Sequence, residues 1–563
     1  MLNTQVAEGV INSFLPLAVI LIPLMGAFLL YYIGLHNTKM RNFCAVITSL
    51  VTAIAVMFLF PLVKQYVVEL SLLQAANIRL FLRVDNFSFI FAALISLIWF
   101  LTTLYATVYM AHEHEQNRFF TVLMVTLSSC LGFVMSGDLL TFLIFYVLLT
   151  FFSYILATHE QTPDALSAGN GMFYLGIIGS FFLLAGIILL YNSTGTLEIM
   201  PLYEQITQSG INFYFLMTLF IIGFGLKAAI IPLHIWLPKV DPVAPAPVSA
   251  LLCALLIKTG VYGIIQVVVK IFVPTSNMSD LSALLPHMNY GYVLIWLGII
   301  TMFLGAFMAL LATQTKRLLA YSSISQIGYI IMGVGTAAYL GAEGAIGLAG
   351  ALYHAVNHAF FKAVLFLIVG AIYIITHELD ITVVRGMLKK VPIMAGAFLI
   401  AFAGIGGIPG FNGYVSKTLL HHALVEAAAQ SNSLPLIIAE KIFVVTSTMT
   451  LCYFTKLFRG LFLGDVPTKF ASRQYKFTWP VYTAVGSLGA IIVAIGLFPH
   501  FLLHKLVIPA LQGFAFDHHA VEHLFEINVW SGHDLQGMLI IAVLAVAMFW
   551  GMDRFNFFSL KIP

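Results

Sequence analysis

Four lysines, Lys227, Lys258, Lys362 and Lys417, stand inside stretches of sequence apolar enough to lie in a membrane. An uncompensated charge at the middle of a membrane helix costs roughly 2.5–3.5 kcal/mol on insertion scales. Desolvation disfavours the charged form of any buried amine, which lets it take and release protons where a surface lysine stays charged. Any one of the four is explained as well by a lysine near a helix end whose stem reaches water. Four together, interleaved with histidines, fit a proton path better. His234 lies between the first two, and "LYHAVNHAFFKAVLF" spaces His354, His358 and Lys362 at i, i+4, i+8, along one helix face. Two histidines at i, i+4 could also hold zinc, but no third ligand is evident, and the lysine that continues the face suits a proton or water wire.

Prolines mark where these residues are positioned. Pro232 follows Lys227 by five residues and removes a backbone donor, so a helix must break there. Pro409 sits in "AFAGIGGIPGFNGYVSKTLL", a glycine-rich interruption ahead of Lys417. Irregular backbone inside a bilayer is tolerated only where it faces protein or water, and broken helices mark ion pathways in transporters.

The elements around them are membrane helices. The chain has 563 residues, 61% hydrophobic and 9% charged, with a mean hydropathy of +1.00. Soluble domains are about a quarter charged, so the composition excludes an ordinary soluble protein. Apolar windows predict an all-α polytopic membrane protein with about fourteen or fifteen spans: 12–34, 41–61, 86–110, 119–136, 138–158, 168–191, 211–238, 243–273, 290–313, 320–340, 344–376, 391–427, 435–463, 477–498 and 536–553. The first is too long for a signal-peptide core and lacks a small-residue cleavage site after it, so it reads as a span. Residues 62–83 read as a surface-lying connection. Cys44, Cys130, Cys253 and Cys452 are far apart, which argues against an iron–sulfur or zinc site and gives no disulfide framework. The formal charge of +3 is too small to imply nucleic acid. No nucleotide fingerprint is present, so no cofactor is expected and any redox chemistry belongs to partners.

The odd-numbered loops hold most of the Lys and Arg, among them Lys239, Lys316, Lys390, Lys456, Arg473 and Lys476. They are therefore expected on the cytoplasmic side, with the N-terminus outside and the tail, including Lys561, inside. The breaks fall in spans seven and twelve, an odd number of spans apart, with lysine before the proline in one and after it in the other. That pattern predicts two inverted five-helix repeats. The expected segments are 1–111, N-terminal helices; 112–273, first half; 274–464, second half; and 465–563, C-terminal helices.

The stretches "GLKAAIIPLHIWLPKVDPVAPAPVSALL", "LLIKTGVYGI", "TKRLLAYSSISQIGYIIMGVG", "YHAVNHAFFKAVLFLIVGAI" and "GIGGIPGFNGYVSKTLL" resemble the proton-conducting membrane subunits shared by respiratory complex I, membrane-bound hydrogenases and multi-subunit cation/proton antiporters. The resemblance covers roughly residues 85 to 465. It implies that Lys227 is a central proton carrier, that Lys258, His354 and His358 are relay positions, and that Lys417 is the outlet-side site of the second half. The family usually carries a glutamate in span five that pairs with the span-seven lysine; here Val147 stands at the expected place. The function implied is proton translocation within a multi-subunit membrane complex, with protons or sodium as the ions and the inner membrane as the location. Energising a two-component inorganic-carbon (CO2/bicarbonate) pump is the alternative, and a non-conducting scaffold subunit is a third. Whether the assembly is an enzyme, such as a quinone-linked translocase, stays open at this point.

Overall fold

The computed structural model describes residues 9–75, 78–274, 281–472 and 476–555, with the side chains of 75, 112 and 281–287 left aside. Arg473 and Lys561 lie outside the described residues. In lipid each backbone group must be satisfied within its own segment, and the long apolar runs accordingly form helices. In chain order these are α1 (Leu15–Gly34), α2 (Thr38–Met57), α3 (Asn86–Tyr109), α4 (Gln116–Val134), α5 (Leu139–Ala157), α6 (Pro163–Thr194), α7 (Phe213–Ala228) and α8 (Ala246–Ile271). There follow α9 (Met288–Leu311), α10 (Thr315–Leu340), α11 (Ala345–Thr376), α12 (Pro392–Gly406), α13 (Asn412–Ser431), α14 (Leu434–Phe462), α15 (Trp479–Leu497) and α16 (Gly532–Arg554). Side-chain caps fix several starts: Asn37 for α2, Asp85 for α3, Asp138 for α5, Thr162 for α6 and Asn212 for α7.

Among the described residues, 13 helices are long and apolar enough to cross a membrane, while α7 and α12 are shorter apolar helices. The chain is a multi-pass, helical membrane protein. Its centre is α8, α10 and α11, whose most apolar windows are 100%, 94% and 89% buried within the protein, against 33% for α1 and 6% for α16.

Three sequence expectations need amendment. The connection 62–83 contains a hairpin, β2 (Val67–Ala75) against β3 (Ile78–Val84), to which β1 (Val10–Asn12) adds in parallel. This small sheet is tied down by Arg79 and Arg83 on Glu69 at 2.9 and 2.7 Å. Second, span seven stops early. α7 ends at Ala228, Ala229 takes a left-handed turn (φ 56°), and helix resumes at Leu237–Val243. The stop lies ahead of Pro232 because a left-handed cap already closes the helix. Span twelve is two helices, α12 and α13, parted by Gly407 to Phe411, with Gly407 and Gly410 at φ 79° and 90°. Third, Lys316 and Lys456 are not loop residues. They lie inside α10 and α14, 3% and 6% exposed. Charge at Lys316 and Arg317 ends the apolar window short of the helix start, and Lys456 falls inside the expected span 435–463, so neither belongs in the basic count of a loop.

Candidate functional site

α11 is the axis of the site. It is apolar all round, so it is surrounded by protein, and His354, Asn357, His358 and Lys362 are each 0% exposed along it. His354 is held at both ring nitrogens, Nδ1 at 2.9 Å from Ser416 Oγ of α13 and Nε2 at 3.0 Å from Gln326 Oε1 of α10. The His358 ring lies 6.5 Å from it and nearly parallel, at 6°. Lys362 Nζ donates to Leu319 O at 2.9 Å and to Ser322 Oγ, both on α10.

Lys258 enters from α8. Its segment Leu252–Leu256 is a π-turn, which shifts the register so that Nζ curls back onto Cys253 O at 3.2 Å. Lys258 is within electrostatic reach of His354, His358 and Lys362. Lys417 reaches His354 from the other side. It sits one turn into α13, 7% exposed, with Nζ 5.2 Å from the Tyr329 ring centroid. The structure thus places Lys258, His354, His358, Lys362 and Lys417 in one buried neighbourhood, within electrostatic influence of one another rather than in direct hydrogen-bond contact.

The set is short of hydrogen-bond partners. Lys417 Nζ, both ring nitrogens of His358, Gln326 Nε2, Asn357 Oδ1 and both Asn412 amide atoms are buried without one among the described residues. Each such orphan costs about 1–3 kcal/mol if left dry. Water is the ordinary remedy for buried polar atoms.

Beside Lys417 a cavity of about 420 Å³ opens, lined by His421, Glu440, Ser447, His533 and Asp534 among others. Two histidine–carboxylate pairs flank it, His421–Glu440 at 2.9 Å and His422–Asp534 at 2.7 Å. At the other end, near the start of α10, Lys316 Nζ donates to Ala244 O at 2.6 Å. Lys316 also feels Glu113 and Glu160 in the adjoining loops. Burial pushes both carboxyls up from their ordinary range, and repulsion between them adds to it for Glu113.

Lys227 and His234 stand apart. Lys227 ends α7 and donates to Thr150 Oγ1 of α5 at 2.8 Å, with Tyr146 4.8 Å away in cation–π contact. A cavity of about 20 Å³ adjoins it, room for a single water. His234 is half-buried in the turn after α7. Pro232 and Pro409 lie in the two interhelical links described above. Val147 is not the residue that faces Lys227: it is 37% exposed, in a stripe with Ile144, Leu148 and Phe151 on the outside of α5. The inward stripe is Tyr146, Thr150 and Ser153, so a hydroxyl stands where a carboxylate was sought.

Sequence reading missed Gln326, Ser322, Ser416, Tyr329 and Asp241. The polar run "SSISQ" in an otherwise apolar helix could have shown the first two. Ser416 and Tyr329 carry no such signal. Asp241 falls between the expected spans 211–238 and 243–273, yet it is 0% exposed, with the Cys253 thiol donating to its Oδ2 at 2.8 Å.

A membrane bundle with a lysine–histidine interior and two interrupted apolar spans defines a narrow class. A family model described as "NADH:quinone oxidoreductase/Mrp antiporter, TM" matches residues 136–449, and one for the "NADH-Ubiquinone oxidoreductase (complex I), chain 5 N-terminus" matches 71–120. The chain belongs to the family that the first of these describes. It is 31% identical over 540 residues to "Putative antiporter subunit mnhA2" of Staphylococcus saprophyticus, covering 91% of this chain and 65% of that one. Identity to the Staphylococcus aureus protein of the same name is 28% over 568 residues, with 96% and 69% covered. The chain therefore spans about two-thirds of the length of these relatives. Among solved structures, a chain of the membrane-bound sulfane sulfur reductase, an archaeal respiratory membrane complex, is similar at TM-score 0.76 and 26% identity, covering 87% of this chain and 77% of that one. A chain of the Mrp complex from Dietzia shares the fold at TM-score 0.77 and 22% identity, with 91% and 99% covered.

Proposed function

We propose that this chain is a proton-translocating membrane subunit of a multi-subunit, antiporter-like complex. One observation carries the reading: a buried cluster, Lys417, His354, His358, Lys258 and Lys362, in which Lys417 Nζ and both His358 ring nitrogens are left open for water, with a cavity beside Lys417 and loop carboxylates near Lys316. A scaffold has no reason to desolvate these amines. Protons pass by alternate protonation of lysine and histidine, with water filling the gaps. Lys227 and His234 form a second, separate station in the first half.

Family membership supports partners that are further membrane and peripheral subunits, as in the complexes named above. Basic residues in the odd-numbered loops support a cytoplasmic face near Lys469 and an outer face near His518, within a cell's inner membrane. The cavity beside Lys417 is then the outer mouth. Cysteines placed at 469 and 518 test this: an impermeant thiol reagent on intact cells should label only the second, and labelling of the first reverses the orientation. Segments 112–273 and 274–464 are read as inverted halves; labelling of engineered cysteines that shows the starts of α7 and α12 on the same side of the membrane ends that reading.

The function itself is tested by reconstituting the complex and following dye-reported proton flux under an imposed membrane potential. Lys417→Ala should assemble normally and lose roughly 10²-fold or more of the flux, the scale of a lost proton-transfer group. Wild-type flux in an assembled Lys417→Ala complex would refute the relay.

A further inference from the structure

Two buried carboxylates near the core can be set side by side. Asp138 caps α5, and both of its oxygens are occupied: Oδ1 by the amides of Leu140 and Thr141, Oδ2 by Phe81 N and the Thr141 hydroxyl. That is how a structural carboxylate is normally satisfied. Asp241, equally buried on the short helix Leu237–Val243, differs. The Cys253 thiol takes Oδ2, and Oδ1 is enclosed without a partner.

Two amines act on Asp241 from the helices around it, Lys316 of α10 and Lys362 of α11. Leu237–Val243 packs on α10, and the start of α8 packs on α11, so the carboxylate sits where the two lysine-bearing helices come together. Lys362 is the last member of the α11 set. Lys316, anchored on Ala244 O three residues past Asp241, is in turn under the influence of Glu113 and Glu160 in the loops. A lone buried carboxylate is costly, and two flanking ammonium groups with a thiol donor offset that cost only while the proton count stays balanced.

We infer that Asp241 is the proton-carrying carboxylate between Lys362 and Lys316, joining the relay of the proposed function to its inner mouth. The inference rests on that reading. In the step, Lys362 ammonium gives a proton to Asp241 Oδ1, leaving a neutral amine and a carboxylic acid. The acid then passes the proton to a neutral Lys316, restoring the carboxylate. One proton moves and no charge is created. The Cys253 thiol keeps its own proton and occupies Oδ2, which leaves Oδ1 as the atom that exchanges. The two lysines are hydrogen-bonded elsewhere in this state, so the transfer uses rotation of their flexible stems or a bridging water.

The test uses the assembled complex in proteoliposomes, with protons as the probe and flux read by a pH-sensitive dye. Asp241→Asn keeps the size and an acceptor for Cys253 but cannot carry a proton, so flux per complex should fall roughly 10²-fold. Asp241→Glu should recover a large part of it, which a purely structural role would not give, since the longer side chain disturbs packing. Lys417→Ala is measured in parallel. If Lys417→Ala is silent and Asp241→Asn is fully active, this inference fails and the relay stands. If Lys417→Ala is active, the relay fails first. Should Asp241→Asn not accumulate, Lys316→Gln takes its place: silence supports the step, and full flux overturns it.

Discussion

At Lys227 the phase of a helix decides what a substitution does. Val147 aligns with the family's glutamate by motif, yet the stripe Ile144, Val147, Leu148 and Phe151 is the exposed face of α5, and Tyr146 and Thr150 meet the lysine. Val147→Glu is therefore expected to place a carboxylate outward, at a cost of order 3 kcal/mol for a charge at mid-membrane. It should reduce accumulation in the membrane and leave flux per assembled complex unchanged. Thr150→Glu instead puts the carboxylate against Lys227, holds its proton and slows transport. Quantitative blotting beside flux assays separates the two. Altered flux per complex in Val147→Glu at normal accumulation would show that the motif alignment, not the helix phase, is right. The four lysines were legible in the sequence because charge is conspicuous against an apolar background. The direction in which each side chain points was not, since a one-residue offset turns a helix by about 100°. Asp241 was hidden for a different reason: flanked by prolines and valines, it looks like loop, and only its burial reveals it.

Helices are positioned here by small residues as much as by apolar ones. Gly291, Gly298 and Gly305 of α9 lie directly against the backbone of α10, and Gly328 and Gly335 of α10 lie against α9. The seven-residue spacing puts each set on one face. This close approach lets two long membrane helices pack by van der Waals contact, with no hydrophobic drive between them in lipid. It also holds α10, and with it Ser322 and Gln326, at the depth where they meet Lys362 and His354. A Cβ at Gly298 would overlap the backbone of Met332, so Gly298→Val should force the helices apart and cost about 1–3 kcal/mol or more. Gly486→Val, where nothing lies within 4 Å, is the control. Thermal unfolding in detergent should fall for the first and not the second; equal midpoints would contradict the role of the stripe. Most spans were legible to within a few residues, because length and apolarity fix them; spans seven and twelve were not, since the apolar run continues through the turns that end their helices. The hairpin of β2 and β3 was not. Its alternating run reads as apolar connection, and β1, which adds along β2, comes from more than fifty residues earlier in the chain.

Over the whole molecule, the buried helices α8, α10 and α11 carry the polar groups while the outer helices shield them. Conduction by this arrangement needs each lysine to lose a proton as well as to hold one, and that requirement distinguishes a relay from a set of structural charges. The substitution that isolates it is Lys362→Arg. Arginine keeps the charge and can still donate to Leu319 O and Ser322 Oγ, but it does not release a proton in a protein. The decisive measurement is potential-driven proton flux through the reconstituted, fully assembled Lys362→Arg complex. A proton-transferring Lys362 predicts an intact assembly that conducts no protons above the background of empty liposomes. Wild-type flux through that complex would contradict it, because a permanently charged group at Lys362 can anchor a structure but cannot hand on a proton.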